Sequence, residues 1–223
     1  MGPAFQPVSH WRPLPQGPPA RLLSCDLAQI YPFQPYRYTE KAGDLGSLVT
    51  QPYDKISPAM RERYLALSPH NLVRVILGER KPDDTPENSV YTRAAAHLHD
   101  WIATGVLARD AEPGIFAYFQ EFTVPDTGER LTRKGFIALG AVMDYSERIV
   151  HRHEQTLSGP KKDRMQVLCA THAHFGQLFM LYPDSERRID ALLDEAAQAA
   201  PLAEVTDEYG VVHRLWKITD GIH

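Results

Sequence analysis

Ionisable and hydrogen-bonding residues are most concentrated in residues 151–164, which read HRHEQTLSGPKKDR. The cations that surround its two histidines are Arg148, Arg152, Lys161, Lys162 and Arg164. Ser158-Gly159-Pro160 precedes a predicted helix start, where unpaired N–H groups and the helix dipole favour an anion. Glu154 lies close by as a general acid or base, or as a carboxylate facing magnesium. The stretch is therefore either a phosphate-binding site or a solvated basic loop.

The same stretch contains a pair of histidines that could bind a metal. His151 and His153 are two residues apart, so on a strand both imidazoles would point to one side, with Glu154 on the other. A zinc site requires three or four converging ligands. We therefore assign no metal ligand, and a metal-assisted hydrolase that uses these three residues is kept as an alternative.

A second polar group lies in residues 51–56, which read QPYDKI. Pro52 stiffens the chain, and Tyr53-Asp54 presents a phenol and a carboxylate together. A simple turn before the next helix is the alternative reading. We expect this turn to converge with residues 153–164 on one pocket.

Composition and charge narrow the classes of protein. The chain has 223 residues, a net charge of −4 and only two cysteines. An acidic balance argues against nucleic-acid binding, and two distant cysteines form no disulfide framework. The first twenty residues lack the basic start and apolar run of a signal peptide. We expect a cytoplasmic protein with no membrane contact.

Periodicity and turn residues predict the elements that position these groups. Residues 1–29 form a Pro-rich tail, and residues 30–223 form one α+β domain with a mixed, largely antiparallel sheet and flanking helices. Helices are predicted from Pro58 to about Leu67, from the Thr85 N-cap to Gly105, over 165–172, and after a Ser185 cap. Strands are predicted at 71–77 and 175–183, and hairpins over 114–143, with its second strand central, and over 203–218.

Several motifs follow one another in an order that resembles a known family. They are Pro52-Tyr53-Asp54-x-Ile56, SPHNLVRVIL (68–77), Trp101-x-x-x-Gly105, GIFAYFQEF (114–122), His153-Glu154-x-Thr156, Pro160-Lys161-x-Asp163-Arg164, LFMLYPD (178–184) and HRLWKITD (213–220). Over roughly residues 30–220 the chain resembles the bacterial and archaeal family called domain of unknown function 1015. Members of that family are longer, so the chain resembles their N-terminal half.

The resemblance implies a function as well as a fold. Family members carry a later box similar to one in ParB-like nucleotide-binding proteins and free serine kinases. This implies ATP or ADP with magnesium, and phosphoryl transfer to a small hydroxyl substrate. The implied catalytic residues are Glu154, His153 and Asp54, and the implied phosphate- or substrate-binding residues are Tyr53, Thr156, Lys161, Asp163 and Arg164.

The sequence also supports one alternative function and one expectation about assembly. A non-catalytic, ParB-like module gated by a nucleotide is the alternative to a phosphotransferase. We also expect a truncated chain of this kind to self-associate through exposed sheet edges.

Overall fold

The computed structural model describes residues 27–152 and 158–219. Within these ranges the helices are α1 (Pro58–Leu67), α2 (Val73–Ile76), α3 (Val90–Ala103), α4 (Ser158–Thr171) and α5 (Arg188–Ala196). The strands are β1 (Ile30–Tyr31), β2 (Tyr36–Tyr38), β3 (Leu107–Arg109), β4 (Ile115–Thr123), β5 (Arg130–Ile137), β6 (Leu139–Gly140), β7 (Ala203–Thr206) and β8 (Val212–Ile218). The predicted α+β class is confirmed. None of the described helices has the length and apolar character needed to cross a bilayer.

The main sheet has four antiparallel strands in the order β5-β4-β8-β7. Both predicted hairpins are present, as β4–β5 and β7–β8. The prediction that β5 is central was wrong, because β8 pairs with the other side of β4 and leaves β5 at an edge. Its apolar end has another cause: Phe136 packs against the α5 side of the sheet, while Ile137 is paired with Phe116. Self-association through the β5 and β7 edges stays a prediction.

Two hydrophobic clusters hold the described elements together. The first surrounds Trp101 of α3, and its buried members are Ala42, Leu48, Val75, Ala94, Leu98, Trp101, Val106 and Leu107. The second joins α5 to one face of the sheet and contains Ala117, Phe119, Leu193 and Trp216. The helices α2 and α3 therefore contribute to the first cluster, and α5 contributes to the second.

Local signals placed α1 correctly and α3 only in part. Ser57 caps α1 by accepting a hydrogen bond from the Met60 N–H, and the helix ends at Leu67 as predicted. The α3 helix begins at Val90 after a capping box on Ser89, and not at the predicted Thr85. Residues 85 and 88 exchange two backbone hydrogen bonds, which closes a separate turn before the helix.

The predicted strand at 71–77 is instead the short helix α2. The Asn71 side chain accepts a hydrogen bond from the Val73 N–H at 3.0 Å and donates one to the Ser47 carbonyl at 2.7 Å. Val73, Val75 and Ile76 are all buried, so the helix is enclosed on several sides. Three of the four residues of α2 are buried and aliphatic, a composition that also fits a buried strand, and this caused the error.

The predicted strand at 175–183 is also wrong. No described strand pairs with this segment, and Leu178 and Leu181 are 91% and 78% exposed. The Tyr182 ring touches the Phe136 ring at a centroid distance of 5.5 Å. The cap that follows comes from Asp184, whose carboxylate accepts from the backbone N–H of residues 188 and 190, and not from Ser185.

Candidate functional site

The two polar motifs predicted to converge are in contact. A turn closed by the Lys55 N–H and the Pro52 carbonyl presents Tyr53, and Arg164 extends from the second turn of α4. The guanidinium carbon of Arg164 lies 4.2 Å from the centroid of the Tyr53 ring. These two residues are therefore close in space as predicted, and a pocket shared by the two motifs stays a prediction. Glu154 lies outside the described residues, so the predicted closeness of Asp54 and Glu154 stays a prediction.

Asp163 is the acceptor around which this site is organised. Its Oδ1 accepts hydrogen bonds from the Tyr91 hydroxyl at 2.8 Å and from Arg80 Nη2 at 2.7 Å, and its Oδ2 pairs with Arg164. Burial alone would raise the pKa of Asp163, but the hydrogen bonds from Arg164 and Tyr91 and the nearby positive charges lower the pKa overall. The carboxylate thus stays ionised and holds α4 to the segment that contains Arg80 and Tyr91.

Most of the N–H donors of Arg164 form hydrogen bonds within the chain. Its Nη1 donates to the Ile76 carbonyl at 2.7 Å, and its Nε and Nη2 both donate to Asp163. A guanidinium has five N–H donors, so three of them are engaged here. Arg164 therefore holds Tyr53 in place and is poorly available as the main charge on a phosphate.

Lys161 and Asp54 are the predicted residues that the structure leaves accessible. Lys161 lies in the first turn of α4 and is exposed, and its side chain forms no hydrogen bond or ion pair with another described residue. Asp54 is likewise exposed and unpaired among the described residues. A Cβ added to Gly159 would meet nothing within 4 Å, so the start of the helix is open to solvent.

The remaining predicted residues give less information. His153, Glu154 and Thr156 lie outside the described residues. His151 is exposed in an irregular segment, so the strand that would align it with His153 is not formed there. Over the described residues, no group of three or more metal-ligating side chains comes together.

Sequence reasoning missed Arg80 and Tyr91. The Arg80 guanidinium lies 5.2 Å from the Tyr91 ring centroid, and both side chains bond to Asp163. The Gly78-Glu79-Arg80 turn had no specific signal of its own. The role of Arg80 depends on its hydrogen bond to Asp163, which lies 83 positions away in the sequence.

A second polar cluster, also missed, is attached to the first through Gln51. Gln51 Nε2 donates to Asp207 Oδ2 at 3.1 Å, and His213 Nε2 is 3.3 Å from the same oxygen. The Tyr118 hydroxyl is 2.6 Å from His213 Nδ1, and burial raises the pKa of Tyr118. Gln51 and Tyr53 are two residues apart, so one short segment touches both the sheet and α4.

Comparison with known proteins identifies the class. The family model for "Protein of unknown function (DUF1015)" matches residues 30–222, and the chain therefore belongs to that family. No curated protein matches the chain. No solved structure matches it either.

Proposed function

We propose that this chain binds a nucleotide or phosphate group at the start of α4, beside Tyr53. The observation that carries the proposal is the contact between Arg164 and the Tyr53 ring at 4.2 Å. It joins two separate sequence motifs into one surface next to an exposed helix start. A few polar groups that converge beside an aromatic side chain are one feature of ligand sites, and this feature supports the proposal.

The donors for the anion come from the first turn of α4. Pro160 has no N–H, so the orphan backbone donors at the start of this helix are those of Ser158 and Gly159. The Lys161 ammonium adds a charge that no described carboxylate neutralises. Arg164 acts indirectly, because its fixed position holds the Tyr53 ring against the same helix.

The chemistry proposed at this site is phosphoryl transfer to a small hydroxyl substrate. ATP or ADP with magnesium would be the nucleotide. His153 and Glu154 would act as the acid or base groups that transfer the proton of the substrate hydroxyl, and Asp54 would face the metal or the acceptor substrate. A nucleotide-binding module without turnover is the other outcome, and a turnover assay with ATP separates the two.

The test is isothermal titration of ATP, ADP and phosphate into the wild-type chain and two variants. We expect Lys161→Ala to weaken binding by about 1–3 kcal/mol, the range for a lost charge-assisted hydrogen bond. Glu154→Gln should leave binding unchanged and lower turnover, because it keeps the shape but removes the proton acceptor.

The matched control is Arg188→Ala. Arg188 is also a cation in the first turn of a helix, α5, and its side chain is 82% exposed. Its loss should leave nucleotide binding unchanged. Equal affinity of the wild-type and Lys161→Ala proteins, with binding clearly detected, would refute the site.

A further inference from the structure

A second cleft opens on the other side of the loop that carries Arg80. Its volume is about 230 Å³. Its lining consists of Leu65, Arg74, Gly78, Glu79, Lys81, Val90, Arg93 and His97. It shares only Gly78 and Val90 with the small cavity that borders Asp163 and Arg164, so its charged groups are distinct from those of the nucleotide site.

Arg74 carries a charge for which the described residues supply no counter-ion. Its Nη2 donates to the Leu65 carbonyl at 2.7 Å, and no described carboxylate forms an ion pair with its guanidinium. Its Nε is buried and has no hydrogen-bond partner among the described residues. A buried donor without an acceptor costs about 1–3 kcal/mol, and more when it is charged, so a negative charge placed beside this guanidinium would be favourable.

The other charged groups of the cleft add to the positive balance. Arg93 is fixed by Asp84 at 2.7 Å and by the Glu79 carbonyl at 2.7 Å. Lys81 is exposed at the rim, and no ion pair neutralises it within the described residues. Three cations against the single carboxylate of Glu79 leave an excess of two positive charges on the lining, or one if Asp84 is set against Arg93.

His97 of α3 lies in the wall of the cleft and responds to this charge. Burial lowers its pKa, the nearby Arg74 charge lowers it further, and Asp100 acts in the opposite direction. The imidazole is therefore neutral at pH 7 and offers one donor and one acceptor. A bound anion would favour the protonated ring and raise the pKa of His97.

We propose that this cleft binds a small molecule bearing phosphate or carboxylate groups, held by Arg74 and Lys81 with His97 alongside. The Arg74 guanidinium donates to the anion through its terminal N–H groups, Lys81 supplies charge at the rim, and the His97 N–H donates a further hydrogen bond. The size suits a small organic acid or a phosphate ester rather than a whole nucleotide, because drug-sized ligands occupy pockets of roughly 300–1,000 Å³. The proposal does not depend on the nucleotide site, since the two sites use different cations.

The test follows the His97 ring by NMR in the full chain while malonate or inorganic phosphate is added at constant ionic strength, with chloride as the reference salt. We expect saturable changes at His97 with at least one of the two anions, together with a rise in its pKa. Saturation by malonate alone identifies a carboxylate ligand, and saturation by phosphate alone identifies a phosphate ester. No saturable change with either anion would overturn the proposal.

Variants locate the binding within this cleft. We expect Arg74→Gln to weaken the anion roughly ten- to hundredfold, the equivalent of one lost charge-assisted hydrogen bond. Lys81→Ala, at an exposed position that folding tolerates, should weaken it in the same direction, and Lys161→Ala should leave it unchanged. Affinity that is unaltered in both cleft variants, or lowered equally by Lys161→Ala, would overturn the proposal whatever the outcome of the nucleotide titration.

Discussion

Replacing Arg164 by leucine tests whether α4 is held to the Tyr53 turn by the contacts described. The Arg164 side chain is 28% exposed, so its interactions are only partly screened by solvent. The stacking on Tyr53 should contribute about 1 kcal/mol, and the charged hydrogen bond to the Ile76 carbonyl about 1.5 kcal/mol. The pair with Asp163 adds less, because Asp163 keeps Arg80 and Tyr91 as partners. We expect Arg164→Leu to lower the free energy of unfolding by about 3 kcal/mol in all.

A double-mutant cycle isolates the ring contact from the other two. Urea unfolding of wild type, Arg164→Leu, Tyr53→Leu and the double variant should give a coupling energy of about 1 kcal/mol. The control cycle uses Arg152 and Tyr145, whose guanidinium and ring lie 5.6 Å apart and whose ring is 56% exposed. That coupling should be no more than about 0.5 kcal/mol.

The comparison of the two coupling energies shows whether the ring contact holds the two motifs together. A Tyr53–Arg164 coupling equal to or below the control value would show that the contact does not hold the two motifs together. The basis of the proposed nucleotide site would then be lost, even if Arg164→Leu by itself were destabilising.

Two further outcomes follow from the same structure. Because the pKa of Asp163 is lowered in the folded state, its contribution is complete above about pH 4, the ordinary aspartate range, and disappears as the pH falls through the lowered value. The stability difference between wild type and Asp163→Asn, about 1–3 kcal/mol at pH 7, should therefore shrink in acid, and a constant difference from pH 7 to pH 2 would contradict this. Trp101 is 1% exposed at the centre of the first cluster, so Trp101→Ala should cost about 3–5 kcal/mol in urea unfolding, and a loss under about 1 kcal/mol would contradict its central role.

The parts of the fold that sequence predicted correctly depend on neighbouring residues. Ser57-Pro58 is a complete helix-start signal, and both β-hairpins are joined by short turn segments. The strand predictions at 71–77 and 175–183 failed because an apolar run shows burial or strand propensity without showing its partner. The hydrogen bond from Asn71 to the Ser47 carbonyl, which fixes Asn71 just before α2, could be identified only from the tertiary structure.

The candidate site shows the same limit. Residue types and spacing brought attention to Tyr53, Lys161 and Arg164, and the family resemblance joined the two motifs. The sequence could not show that Arg164 is already hydrogen-bonded within the chain, because its acceptor, the Ile76 carbonyl, lies 88 positions away. The lone charge of Arg74 was equally hidden, since it depends on which carboxylates the fold keeps at a distance.

The exposed apolar segment before α5 has a consequence for how the chain can be divided. Leu178, Phe179 and Leu181 are cleavage sites of chymotrypsin, and they are 91%, 61% and 78% exposed. A cut there would separate α5, β7 and β8 covalently from the remainder. The separated piece would still carry β8, which pairs with β4 over seven residue positions, from Ile115↔Ile218 to Glu121↔Val212, and Leu193 of α5 would stay in its cluster. We therefore expect the nicked protein to elute from gel filtration as one species and to come apart only in denaturant, so that two separately produced pieces, 1–180 and 181–223, should reassemble on mixing.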